Sequence, residues 1–193
     1  MAYRTGTYVA FHAGGTSDPT ESDMKYYTAL LMWDVRSDHE FEFVNSHEKT
    51  AAVRDSSKRE TLERHLKERL RRSKNMILVI GEDTKQDTDW VPFEIRYAVD
   101  ECAIPIIATY VHRDFLCVVN PEGSADLWPK ALATRIRDGR ARAIHVPFRE
   151  KPLAVAVEQF THNNLPNTGV SYYVPEAYRT WGFCSQCSGP VCR

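Results

Sequence analysis

Nowhere among the 193 residues does an apolar run approach the roughly 20 consecutive positions that a membrane-spanning helix needs. The opening stretch, MAYRTGTYVAF, also lacks the long apolar core of a secretory signal. A cytoplasmic protein that engages no membrane is therefore the expectation. Charge of one sign is missing too: 25 Lys and Arg against 26 Asp and Glu leave a formal net charge of -1. No global field draws such a chain to nucleic acid or to an anionic lipid surface. Cysteine is sparse and odd in number, five in all. Cys102 and Cys117 fall in or beside apolar stretches, and Cys184, Cys187 and Cys192 crowd the tail. That pattern argues against a secreted disulfide framework and for reduced thiols. The tail sequence CSQCSGPVC looks like part of a zinc knuckle, but structural zinc takes four ligands and no fourth lies nearby, so no metal site is expected. HExxH, Walker A and nucleophile-elbow sequences are all absent, which removes support for metalloprotease, P-loop and serine-hydrolase chemistry.

What is present is a 42% hydrophobic chain of single-domain size. Residues 7 to 12, TYVAFH, form a β-branched and aromatic run that ends in the loop AGGTSDPTESD. From Asp23 to Arg36, apolar residues recur at helical spacing, with Ser22 or Asp23 available as N-cap. Phe41, Phe43 and Val44 suggest a short second strand, followed by a long polar loop. Between Ser57 and Arg72, Leu62, Leu66 and Leu70 repeat every four residues. There Glu60 with Arg64, Glu63 with Lys67 and Glu68 with Arg72 are spaced as ion pairs, and the basic excess reads as a solvated face.

Residues 75 to 80, NMILVI, read as a strand buried on both faces, closed by Gly81 and a polar loop. A helix begins near Trp90 and Pro92, where proline is tolerated, and runs to about Cys102. Ile104 to Val111 is another buried strand. Beyond it come a loop and short helix in PEGSADLWPKALATRI, a last strand in ARAIHVPF and a closing helix in PLAVAVEQFTHNN. Residues 1–166 are thus read as one domain, and residues 167–193, which show no period, as a carboxy-terminal extension laid over it or partly disordered.

Strands alternating with helices imply an α/β, flavodoxin-like open parallel sheet of five strands, order 2-1-3-4-5, with helices on both faces. In such a sheet ligands bind beyond the carboxyl ends of the strands, at the switch point between strands one and three. His12 and Glu94 are placed there. Glu94, read into the first turn of the third helix, has two explanations: a carboxylate that complements the helix dipole and caps free amides, or a functional group aimed at the crevice. His12 is either an ordinary strand-edge histidine or part of the same site. Gly14 and Gly15 would permit close approach of a phosphate, without forming a recognised phosphate loop.

TYVAFH together with SKNMILVIGEDTKQDTDWVPFEIRYAVDECAIPIIATY resembles the TIR-like domains of the prokaryotic Thoeris antiphage-defence type, over residues 7 to 111. Trp90 to Glu94, WVPFE, is similar to the W-x-x-x-E at the start of the third TIR helix, whose glutamate is catalytic in the NAD-consuming members. Phe11 and His12 are similar to the Phe-His that Thoeris TIR-like proteins carry at the end of strand one, and Ser46 falls where that family keeps a serine after strand two. The resemblance implies a catalytic Glu94, with Phe11, His12, Ser46 and Trp90 binding substrate. It also implies NAD as substrate with no cofactor, a nucleotide product that reaches a partner effector protein, and assembly into a homo-oligomer. The departures are the strand-one exit AGGTSDPTESD and the extended carboxy-terminal part.

The implied chemistry suits a fixed carboxylate, because breaking the nicotinamide–ribose bond builds oxocarbenium-like positive charge on the sugar. Water as nucleophile gives ADP-ribose, an internal hydroxyl or ring nitrogen gives a cyclic isomer, and another amine gives a conjugate. Two alternatives remain beside this reading. One is a nucleoside deoxyribosyltransferase-like enzyme, whose fold also places a glutamate after a similar strand. The other is a non-catalytic signalling module that binds a protein or nucleotide, with Glu94 serving its helix alone.

Overall fold

The short β-branched and apolar runs of this chain bury both of their faces, and the amphipathic segments between them supply the two covering layers. In the computed structural model, which describes residues 4–12, 24–36, 43–44, 56–112 and 116–183, the strands are β1 Gly6–Ala10, β2 Phe43–Val44, β3 Ser73–Ile80, β4 Ile106–Tyr110, β5 Ala143–Pro147 and β6 Ser171–Tyr172. They form one sheet in the order β2-β1-β3-β4-β5-β6, and every pairing is parallel. The helices are α1 Met24–Arg36, α2 Ser56–Arg72, α3 Trp90–Arg96, α4 Lys130–Arg137, α5 Glu150–Gln159 and α6 Pro175–Thr180. This is an α/β, flavodoxin-like architecture with β1 and β3 side by side at its switch point, β1 leading outward to β2 and β3 leading the other way to β4.

Alternation along the strands sorts the core into two layers. Tyr8, Ala10, Met76, Leu78 and Ile80 pack with Leu62, Leu66 and Leu70 of α2, Val91 and Ile95 of α3 and Leu132 of α4. Val9, Phe11, Ile77 and Val79 pack on the opposite face with Tyr27 and Leu30 of α1 and Leu153, Ala156 and Val157 of α5. On α2 the pairs Glu63–Lys67 and Glu68–Arg72 form as the spacing predicts. Glu60 and Arg64 do not pair; Glu63 is shared instead with Arg59. Asn75, buried in β3, donates from Nδ2 to the carbonyls of Val157 at 2.9 Å and Phe160 at 2.7 Å, tying the central strand to the end of α5.

Several boundaries differ from the sequence reading. β1 ends at Ala10, so Phe11 and His12 lie just past the strand. The helix after β3 is α-helical only to Arg96 and continues as a π-helical turn over Tyr97–Glu101, because its amides reach one residue further back than in the α form. Within the carboxy-terminal extension, β6 pairs with β5, and α6 follows. Contact with the edge of β5, a tertiary effect, orders a segment too short to show a period of its own. The expected N-cap of α1 at Ser22 or Asp23 and the cysteines of the tail lie outside the described residues. Cys102 is buried and free, whereas Cys117 is engaged in a disulfide, which corrects the expectation of reduced thiols throughout. Spacing along a chain cannot reveal which sulfurs folding brings together.

The extension is anchored by a buried hydrogen-bonded chain. Trp128 Nε1 donates to the Tyr110 hydroxyl at 2.7 Å, that hydroxyl meets His145 Nδ1 at 2.8 Å, and His145 Nε2 meets the Gly169 carbonyl at 2.9 Å. Since the carbonyl only accepts, Nε2 carries the proton, and Nδ1 accepts from the phenol. A Cβ on Gly169 would stand 3.0 Å from the Ala141 carbonyl oxygen, so glycine is what allows this close approach.

Candidate functional site

The loop leaving β3 is built to present the start of α3. Gly81 N–H is held by Thr84 Oγ1 at 2.7 Å, and residues Thr84–Gln86 form one 3-10 turn. Asp87 follows. Its Oδ1 accepts from the amides of Asp89 at 2.8 Å and Trp90 at 3.0 Å, satisfying donors that a helix start otherwise leaves open. Its Oδ2 lies 3.1 Å from His12 Nδ1. One carboxylate therefore binds the exit of β1 to the first turn of α3. From the other side, Arg59 of α2 forks onto Asp89 at 2.5 and 3.1 Å and lies 4.9 Å from the centre of the Trp90 ring. Trp90 in turn meets the Phe93 edge at 6.1 Å.

Glu94 falls in the second turn of α3, not the first as the sequence reading had it, and no acidic residue occupies the first turn. The amide capping assigned to it is carried by Asp87 instead. Glu94 is fully buried, and its Oε1 accepts a short hydrogen bond from the Tyr8 hydroxyl of β1. Burial pushes the Tyr8 phenol well above its usual range, and the facing Glu94 charge adds to the shift. The phenol thus stays protonated and donates. A carboxylate so desolvated acts on nearby charge through a low local dielectric, where electrostatic stabilisation is strongest.

Two of the expected residues, His12 and Trp90, meet at the helix start through Asp87, and Glu94 lies one turn further along the same helix. Phe11 is placed on the other face of the sheet, stacked on Tyr27 with ring centres 5.4 Å apart. Ser46 and the Gly14-Gly15 loop lie outside the described residues. Tyr8 and Asp87 were not singled out from the sequence. Tyr8 could have been found from strand alternation, which sets it on the α3 side of β1, and Asp87 from its Asx spacing three residues before the helix. An open groove of about 430 Å³ between Lys67, Phe93, Arg96, Tyr97, Asp100 and Glu101 lies on the outer side of α3, and Glu94 is not among its walls. Among the described residues no cluster of three or more His, Cys, Asp or Glu could hold a metal ion, and no helix is long and apolar enough to cross a membrane.

An open parallel sheet in the order β2-β1-β3-β4-β5-β6, with a helix after β3 whose buried glutamate is held by β1, is the architecture of a TIR-like α/β domain. The model of the family described as Thoeris protein ThsB, TIR-like domain, matches residues 8–114, more than half of the chain. This protein belongs to that family and is a TIR-like module of antiphage defence.

Proposed function

We propose that this chain cleaves the nicotinamide–ribose bond of NAD and releases an ADP-ribose-derived nucleotide, cyclic or conjugated, as a signal that activates a partner effector protein. The observation that carries this reading is the Glu94 carboxylate: fully buried, on the helix that starts at the switch point, and held from β1 by Tyr8. As the glycosidic bond lengthens, positive charge grows on the ribose, and a preoriented carboxylate in a desolvated site opposes that charge without having to reorganise. Nicotinamide leaves as a neutral base and needs no proton donor. His12 and Trp90, at the mouth of the same helix, supply a polar and a stacking contact for the substrate.

Full burial of Glu94 means that the arrangement described is closed. Substrate access requires the Tyr8–Glu94 contact to open, so turnover depends on a trigger or on self-assembly of the chain. The same burial favours a second reading, in which Glu94 and Tyr8 form only a structural pair inside a non-catalytic signalling module. Mass spectrometry of NAD incubated with concentrated wild-type and Glu94→Gln protein separates the two. Nicotinamide and an ADP-ribose-derived product, lost in the folded variant, support the enzyme; equal turnover by both proteins sinks the role given to Glu94.

A further inference from the structure

We propose that Asp87 is the positioning residue of His12, and that the pair forms the proton acceptor for the hydroxyl that attacks the ribose. This rests on the reading of the chain as an NAD-cleaving enzyme. Phe11 packs on the α1 side of the sheet, and His12, the next residue, reaches the start of α3, the helix whose Glu94 meets Tyr8. His12 is 26% exposed, Asp87 10%, and their Nδ1–Oδ2 separation is 3.1 Å. A carboxylate only accepts, so the proton of the neutral imidazole resides on Nδ1 and the lone pair on Nε2. Among the described residues Asp87 is the only side chain bonded to His12, and Nε2 remains for a ligand. At the same helix start, Arg59 and Asp89 are engaged with each other. Asp87 is itself immobilised by the amides of Asp89 and Trp90, so the imidazole is referenced to the very helix that carries Glu94.

In the step this geometry serves, the bond from the nicotinamide nitrogen to C1′ breaks, and its electron pair leaves on the nicotinamide. The oxygen of the attacking hydroxyl forms the new bond to C1′. Its proton passes to His12 Nε2, and the imidazolium so formed is stabilised by Asp87 before it returns the proton to solvent.

The test uses Asp87→Asn in the full chain. Asparagine keeps an acceptor oxygen for the amides of Asp89 and Trp90, but it turns an N–H toward His12. The ring must then accept at Nδ1 and carry its proton on Nε2. Nitrogen-15 NMR of the imidazole should show this inversion, and NAD turnover should fall about 100-fold or more. In a His12→Gln background the same substitution should cause no further loss, because Asp87 acts through His12. Retention of the Nδ1 proton in Asp87→Asn overturns the proposal. So does wild-type turnover in that variant, or a loss that multiplies with that of His12→Gln. Any of these results beside an inactive Glu94→Gln protein leaves the proposed NAD chemistry standing. Wild-type turnover by Glu94→Gln instead removes the parent reading, and this one with it.

Discussion

Acidification should loosen this protein through His145 before its carboxylates matter. The imidazole is fully buried and neutral, accepting from Tyr110 and donating to Gly169, and burial pushes its pKa down to about 4 from 6.5. Between those two values the unfolded chain binds a proton that the folded chain refuses, so stability is fully present above pH 6.5 and is lost as pH falls toward 4. With 1.36 kcal/mol per unit, the whole interval corresponds to about 3 kcal/mol, a large share of the stability of an ordinary domain. Below pH 4 the contribution of this residue levels off. The assay is urea denaturation at half-unit steps from pH 7.5 to 4.0, for the wild type and for His145→Gln. Glutamine retains a neutral donor and acceptor but cannot take the proton, so the variant should be less stable at pH 7 and flatter with pH. The wild-type curve should fall toward it as pH drops. Parallel curves for the two proteins from pH 6.5 to 4 would refute the claim that His145 is held neutral.

Tyr8→Phe removes one hydroxyl and leaves a buried carboxylate without its phenol donor. Hydrogen bonds to charged groups contribute about 1.5–3 kcal/mol, so denaturation at neutral pH should show a loss of that size, and an unchanged midpoint would contradict the Tyr8–Glu94 bond. Asn75→Ala strips two donors from the carbonyls that close α5 and should cost about 2 kcal/mol by the same measurement. A change within the scatter of the assay would mean that β3 and α5 are joined by packing alone.

The amino-acid sequence by itself determined the elements and their alternation. NMILVI reads as a strand buried on both faces from its length, its unbroken apolar run and the Gly81 that closes it, and the four-residue repeat of Leu62, Leu66 and Leu70 reads as a helix with one buried stripe, because both signals are local. It also pointed to the helix that Trp90 opens and that carries Glu94. What it could not determine were the partners of those residues. Tyr8 meets Glu94 across 86 positions and His12 meets Asp87 across 75, contacts that exist only once β1 and β3 pair side by side. Glu94 looked like a capping carboxylate at a helix start, and only the packed structure shows the capping done by Asp87 while Glu94 turns inward to a phenol. Likewise the two-residue strand β6 carries no periodic signal and acquires its conformation from the edge of β5. Local chemistry writes the periodic elements, whereas hydrogen bonds between distant segments are decided by which surfaces the sheet brings together.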